Sequence, residues 1–203
     1  MVLKVIHIGK CGGSTLTSIL NKNNLENERI HMKKPEFHTN DRYVIVIRNP
    51  IARFISAFNW RYKLVVLDKT QENRFAGEKN TLVQYDSVNT LAENIGEFDV
   101  HTTYIHHIYE DIQFYLHDFL KQCKKENIVG VVTQENLYHD IQQIFNICDA
   151  NTHINKNDSK NDTYISTLGY DRLKQYLHKD YACIDRLYAM GCLTQGQYDT
   201  LSK

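Results

Sequence analysis

The first twenty residues hold the strongest constraint on this chain. Val2 to Ile8 is a largely apolar, β-branched run that stops at Gly9-Lys10-Cys11-Gly12-Gly13-Ser14-Thr15, and helix-compatible residues, Leu16 to Leu20, follow at once. That order reads as a strand, a tight loop and a helix start. Two further short apolar runs, Tyr43–Ile47 and Ile128–Val132, are each followed by a helical pattern. Continuous apolar runs of this length suit parallel strands covered on both faces. Strands that alternate with helices predict an α/β fold, a central parallel sheet flanked by helices. A chain of 203 residues fits one domain, and no linker or repeat divides residues 1–203.

The remaining pattern predicts helices over 14–22 and from Pro50 to about Leu67, and a short strand near Arg29 to Met32. Residues 68–100 read as an irregular insertion with some helix, a candidate to shape an acceptor site. Tyr104 to Cys123 reads as the clearest helix, with Ile105, Ile108, Ile112, Tyr115, Leu116, Phe119 and Leu120 on one face. An Asn-, Asp- and Lys-rich loop over 149–163 precedes helices at about 168–178, 181–190 and 194–202.

The opening loop has the chemistry of an anion site. Gly12 and Gly13 allow close backbone approach, and the N–H groups at the helix start point at whatever lies there. Lys10, Ser14 and Thr15 add charge and hydroxyl donors. The ATPase phosphate loop reads G-x-x-x-x-G-K-[ST], with lysine after the glycines. Here Lys10 comes before them, so a phosphate-binding loop of a different kind is expected.

The run Tyr43–Ile47 ends in Arg48-Asn49-Pro50, then Ile51-Ala52-Arg53-Phe54-Ile55-Ser56-Ala57-Phe58. Pro50 suits a first helical turn, and Ile51, Phe54, Ile55 and Phe58 share a helical face. Arg48 is thus expected at the carboxyl end of a strand, where open α/β sheets bind ligands, with Ser56 on the helix beyond it.

Together the two segments resemble the nucleotide-binding elements of sulfotransferases that use 3′-phosphoadenosine 5′-phosphosulfate (PAPS). In that family a P-K-x-G-[GT]-[ST]-[ST] loop holds the 5′-phosphosulfate. An R-[DN]-P-x-x-R-x-x-S-A-[YF] segment supplies the arginine and serine that hold the 3′-phosphate. This chain departs in having Gly9 for proline and Cys11 for threonine or serine. Thr133-Gln134-Glu135-Asn136-Leu137-Tyr138-His139-Asp140 resembles a later strand-to-helix segment of the same family, so the likeness spans residues 1 to about 150. The form of the second motif and the short chain resemble the glycan-type branch most.

The resemblance implies PAPS as co-substrate and a hydroxyl-bearing acceptor, a saccharide or small metabolite. It implies that Lys10, Cys11, Gly12, Gly13, Ser14 and Thr15 hold the 5′ end and that Arg48 and Ser56 hold the 3′-phosphate. Lys10 would stabilise the leaving group. His31, at the end of Arg29-Ile30-His31-Met32, matches the placement of the family's histidine base, with Glu36 and His38 as alternatives. No metal is expected. No acidic pair suited to magnesium is evident. Of His101, His106 and His107, the last two are adjacent on an expected helix and would point about 100° apart, poor geometry for a shared metal; histidines on a helix that faces the cleft could instead contact an anionic acceptor. Two alternatives stay open: a P-loop nucleotide kinase or NTPase, and a non-catalytic module that binds PAPS or its product.

Charge is uneven. Residues 1–63 carry 11 Lys and Arg against 4 Asp and Glu, although the whole chain is balanced at 24 each. A basic first third suits a polyanionic nucleotide. No nucleic-acid-binding signature is present, no run is long enough to span a membrane, and no signal-peptide pattern is seen, so a cytoplasmic setting is expected. The five cysteines, Cys11, Cys123, Cys148, Cys183 and Cys192, form no C-x-x-C pair.

Overall fold

Four parallel strands form one sheet in a computed structural model that describes residues 2–96, 105–147 and 162–203. They are β1 (Leu3–His7), β2 (Asn27–Ile30), β3 (Arg42–Ile47) and β4 (Ile128–Thr133), in the spatial order β2-β1-β3-β4. Val5 pairs with Arg29 on one side and Val44 on the other, and Ile45 pairs with Val131. Tyr43 through Ile47 are wholly buried, as a strand covered on both faces requires. Each Val or Ile side chain so buried contributes about 1.5–3 kcal/mol.

The order matters for function. From β1 the chain moves outward to β2, then returns across β1 to β3. The reversal leaves a crevice between the carboxyl ends of β1 and β3, the switch point at which such sheets bind ligands.

The helices are α1 (Gly13–Lys22), α2 (Pro50–Tyr62), α3 (Glu78–Gln84), α4 (Val88–Asn94), α5 (Ile112–Gln122), α6 (Leu137–Phe145), α7 (Thr167–Tyr176), α8 (His178–Ala189) and α9 (Gln195–Ser202). One apolar cluster joins the sheet to α1, α5, α6, α8 and α9. A second joins α2, α3, α4 and α7, and Tyr181 packs against both. None of the described helices is long and apolar enough to cross a membrane.

Several boundaries differ from the sequence reading, each for a local reason. The helix expected from Tyr104 starts at Ile112, because Asp111 Oδ1 accepts Phe114 N–H at 2.8 Å and caps it. Residues 105–110 form turns instead, with Ile105 and Ile108 buried in the second cluster. The α2 helix loosens into a π-helical turn over Lys63–Leu67. The segment read as irregular contains α3 and α4; Gly77, in the left-handed region at φ 82°, starts the first. Strand β2 stops at Ile30, and Met32 takes φ 60°.

One buried ion pair and one further buried arginine pin this half of the molecule. Arg61 donates to both oxygens of Glu78 at 2.8 and 2.6 Å, and both side chains are 1% exposed. Glu78 Oε1 also accepts the His106 backbone N–H at 2.8 Å. Arg53, wholly buried, donates from Nη2 to the carbonyls of His107 and Glu110. The nearby Asp111 and Asp180 carboxyls are both raised by burial; Asp180 is pushed up to about 8, with Asp111 adding to the effect.

Candidate functional site

A cleft of about 860 Å³ opens at the switch point. That is within the range of small-molecule sites, roughly 300–1,000 Å³. The loop after β1 forms one wall. Cys11 N–H donates to Ile8 O at 3.3 Å, which folds the chain into a turn. Lys10 and Gly12 take the left-handed region, at φ 68° and 89°. Thr15 and Leu16 N–H close onto Gly12 O at 3.0 and 3.2 Å and begin α1. No side chain caps α1 and its first turn holds no acid, so the helix start keeps its positive character toward the cleft.

The loop glycines are needed for close packing. A Cβ on Gly13 would stand 2.1 Å from His7 Cδ2, and one on Gly9 would stand 2.5 Å from His107 Nδ1. Any side chain at position 9 would therefore meet the His107 ring.

The end of β3 forms the second wall. Asn49 Oδ1 accepts Ala52 N–H at 3.0 Å and Pro50 occupies the first turn, so α2 leaves the strand sharply. Ala52, Ile55, Ser56, Asn59 and Trp60 on α2 face the cleft beside Arg48. Arg48 Nη1 approaches the Lys10 carbonyl at 3.5 Å, and Arg48 Nε is buried without a partner among the described residues. Lys10 Nζ lies 4.3 Å from the centre of the Trp60 ring. Burial first, then the Arg48 charge, lowers the Lys10 pKa to about 8. Two cations on the walls of one cleft favour an anionic ligand there.

The third wall was only partly legible in the sequence. Because β4 lies beside β3 in a parallel sheet, its carboxyl end meets the same crevice, and Gln134 through His139 line it. Asp140 Oδ2 holds that turn by accepting Thr133 N–H at 2.7 Å and Thr133 Oγ1–H at 2.6 Å. Glu135 Oε1 accepts Asn49 N–H at 3.0 Å. His7 and His107 also line the cleft, and neither was named as a site residue from the sequence. His7 ends β1, and strand-end position was the signal for it. For His107 the signal was the run of histidines at 101, 106 and 107, but the sequence reading placed it on a helix rather than in a turn.

The sequence-predicted residues separate clearly. Lys10, Gly12, Gly13, Ser14, Thr15, His31, Arg48 and Ser56 all line the one cleft. Cys11 does not. Its side chain is fully buried, Sγ lies 3.7 Å from Gly9 O, and burial pushes the thiol up to about 12. Its N–H is taken by the Ile8 carbonyl and its thiol is outside the lining of the cleft.

Of the three base candidates only His31 faces the cleft. Its Nδ1 lies 2.9 Å from the His7 carbonyl. A carbonyl only accepts, so Nδ1 carries the proton and Nε2 is left as the basic nitrogen. The ring stacks on His7 at 4.4 Å, and burial lowers its pKa. Glu36 and His38 line a separate small hollow with Lys4 and Glu28. Their side chains are 90% and 65% exposed. Tyr43 explains this: its hydroxyl accepts His38 N–H at 2.9 Å and donates to Glu36 O at 3.1 Å. Tyr43 is at the amino end of β3, so the loop is tied to the end of the sheet away from the cleft.

His106 and His107 are not on a helix. They lie in the turns before α5, and the positive φ of His107, 67°, brings the two rings to 3.9 Å. His101 lies outside the described residues.

No protein-family model, curated protein or solved structure matches this chain.

Proposed function

We propose that the cleft binds PAPS and that the protein transfers its sulfuryl group to an acceptor hydroxyl on a saccharide or small metabolite. One observation carries this reading. Lys10 with the Gly12–Thr15 loop, and Arg48 with Ser56, converge on a single cleft from the ends of two adjacent strands. Two cationic subsites on one cleft suit an adenosine with phosphates at both its 5′ and 3′ positions. The loop N–H groups and hydroxyls hold the 5′-phosphosulfate. Arg48 offers the 3′-phosphate a forked set of donors, and Ser56 a hydroxyl.

In the transfer, the acceptor oxygen forms a bond to sulfur as the bond from sulfur to the 5′-phosphate oxygen breaks. Lys10 meets the negative charge growing on that oxygen. His31 Nε2 takes the acceptor proton. The products are the sulfated acceptor and 3′-phosphoadenosine 5′-phosphate (PAP).

Calorimetric titration with PAP and with ADP tests the reading. The two differ in carrying a 3′-phosphate or a second 5′-phosphate. PAP is expected to bind at least about tenfold more tightly, the worth of a good charge-assisted contact. Arg48→Lys should remove most of that preference, because an ammonium lacks the fork. Equal affinities, or no binding of PAP, would refute it. Labelled PAPS with an acceptor panel then separates an enzyme from a binding module, and magnesium-dependent ATP turnover would favour an NTPase.

A further inference from the structure

Beside the cleft, His106, His107 and Glu110 each place a ligand-type atom within 4.8 Å of the other two. Glu110 Oε2 lies 2.9 Å from His106 Nδ1 and 3.8 Å from His107 Nδ1. The three side chains are only 6%, 11% and 14% exposed. His107 Nδ1 and Glu110 Oε2 are sealed from solvent; Glu110 Oε2 has His106 Nδ1 beside it, whereas His107 Nδ1 makes no hydrogen bond among the described residues. A buried polar atom left in this state normally costs about 1–3 kcal/mol, so the arrangement calls for something between the three side chains.

We propose that His106, His107 and Glu110 form a binding site for a transition-metal dication of the Zn²⁺ class. Two imidazoles and one carboxylate are a donor set that zinc accepts, with a fourth position left for water. Zinc bonds of about 2.0–2.1 Å in a tetrahedron separate the ligand atoms by about 3.3 Å. The 2.9 and 3.8 Å spacings lie on either side of that value, so small side-chain rotations suffice.

The backbone is already held for the purpose. Arg53 binds the carbonyls of His107 and Glu110, and Glu78 binds the His106 N–H. The left-handed backbone at His107 is the strained feature that turns its ring toward its neighbour. On a regular helix the same two residues would diverge. His107 also lines the cleft, so the metal would lie at its edge. The site would exist whatever nucleotide the cleft takes.

The test is titration of the metal-stripped full chain with Co²⁺ and Zn²⁺, without nucleotide. One equivalent of Co²⁺ should give the intense visible absorption of a tetrahedral site, and one equivalent of Zn²⁺ should bleach it. His107→Asn and Glu110→Gln, checked for folding by circular dichroism, should each weaken Zn²⁺ binding by more than about 100-fold. That exceeds the 10–100-fold typical of groups that only support a ligand. X-ray absorption at the zinc edge of the unaltered protein should show two imidazoles among nitrogen and oxygen donors, a readout that does not depend on the variants folding. Absence of stoichiometric uptake, uptake unchanged in both variants, or sulfur in the coordination sphere would overturn the proposal.

Discussion

Replacing Lys10 with methionine should make the free protein more stable while weakening nucleotide binding. Lys10 is mostly buried beside Arg48, and these two causes lower its pKa from 10.5 to about 8. At 1.36 kcal/mol per pH unit, holding its charge in the folded state costs on the order of 3 kcal/mol. The sign is fixed by linkage. Below pH 8 the lysine is charged in both folded and unfolded chains, and the full cost is present. Between pH 8 and 10.5 the folded protein releases the proton first, so stability climbs with pH. Above 10.5 both forms are neutral and the cost is gone.

Methionine has nearly the same length and no charge. Lys10→Met should therefore raise the melting temperature at pH 6.5 by roughly 6–12 °C, taking about 2–4 °C per kcal/mol for a domain of this size. The gain should shrink steadily at pH 9 and 10. PAP should raise the melting temperature of the unaltered protein, since an anion relieves the repulsion, and raise that of Lys10→Met by clearly less. Calorimetric scans of both proteins across pH measure all of this. A Lys10→Met protein no more stable than the original at pH 6.5, or a difference independent of pH, would refute the reasoning.

Three further outcomes follow from the geometry. His31→Ala should lower the rate of sulfuryl transfer by about 10²–10⁴ with PAP affinity little changed, whereas Glu36→Gln and His38→Ala should leave both alone, as steady-state kinetics would show. Gly13→Ala should destabilise by about 1–3 kcal/mol in urea melts, because its Cβ meets His7 Cδ2 at 2.1 Å, and pairing it with His7→Ala should recover part of the loss. Glu78→Ala should cost about 3–5 kcal/mol by the same melts, since it leaves Arg61 charged and buried, while replacing both residues with apolar ones should cost far less.

The linear order of residues carried much of the fold. Apolar runs too short for helices, each followed by a helical pattern, specify β1, β3 and β4 and their parallel arrangement, because each strand must be covered on both faces. The phosphate-type loop and the Arg48–Ser56 segment were legible for a related reason. Lys10, the glycines and the hydroxyls act within a few residues of one another, and a strand end tells where they point. The helix expected from Tyr104 failed because apolar spacing alone does not reveal a cap; Asp111 ended one structure and began another.

What the tertiary structure alone decided is which side chains meet. Cys11 lies inside the loop motif, yet a turn of one residue sends its thiol into the core. The sequence favoured His31 and left Glu36 and His38 as alternatives; the Tyr43 hydroxyl ties the latter two to the other end of the sheet. His107 reaches Gly9 across almost a hundred residues, and a single left-handed backbone angle turns it toward His106. Local preferences act between neighbours in the chain and can be read from it. Contacts between distant segments depend on the packing of the whole core, and no short pattern encodes them.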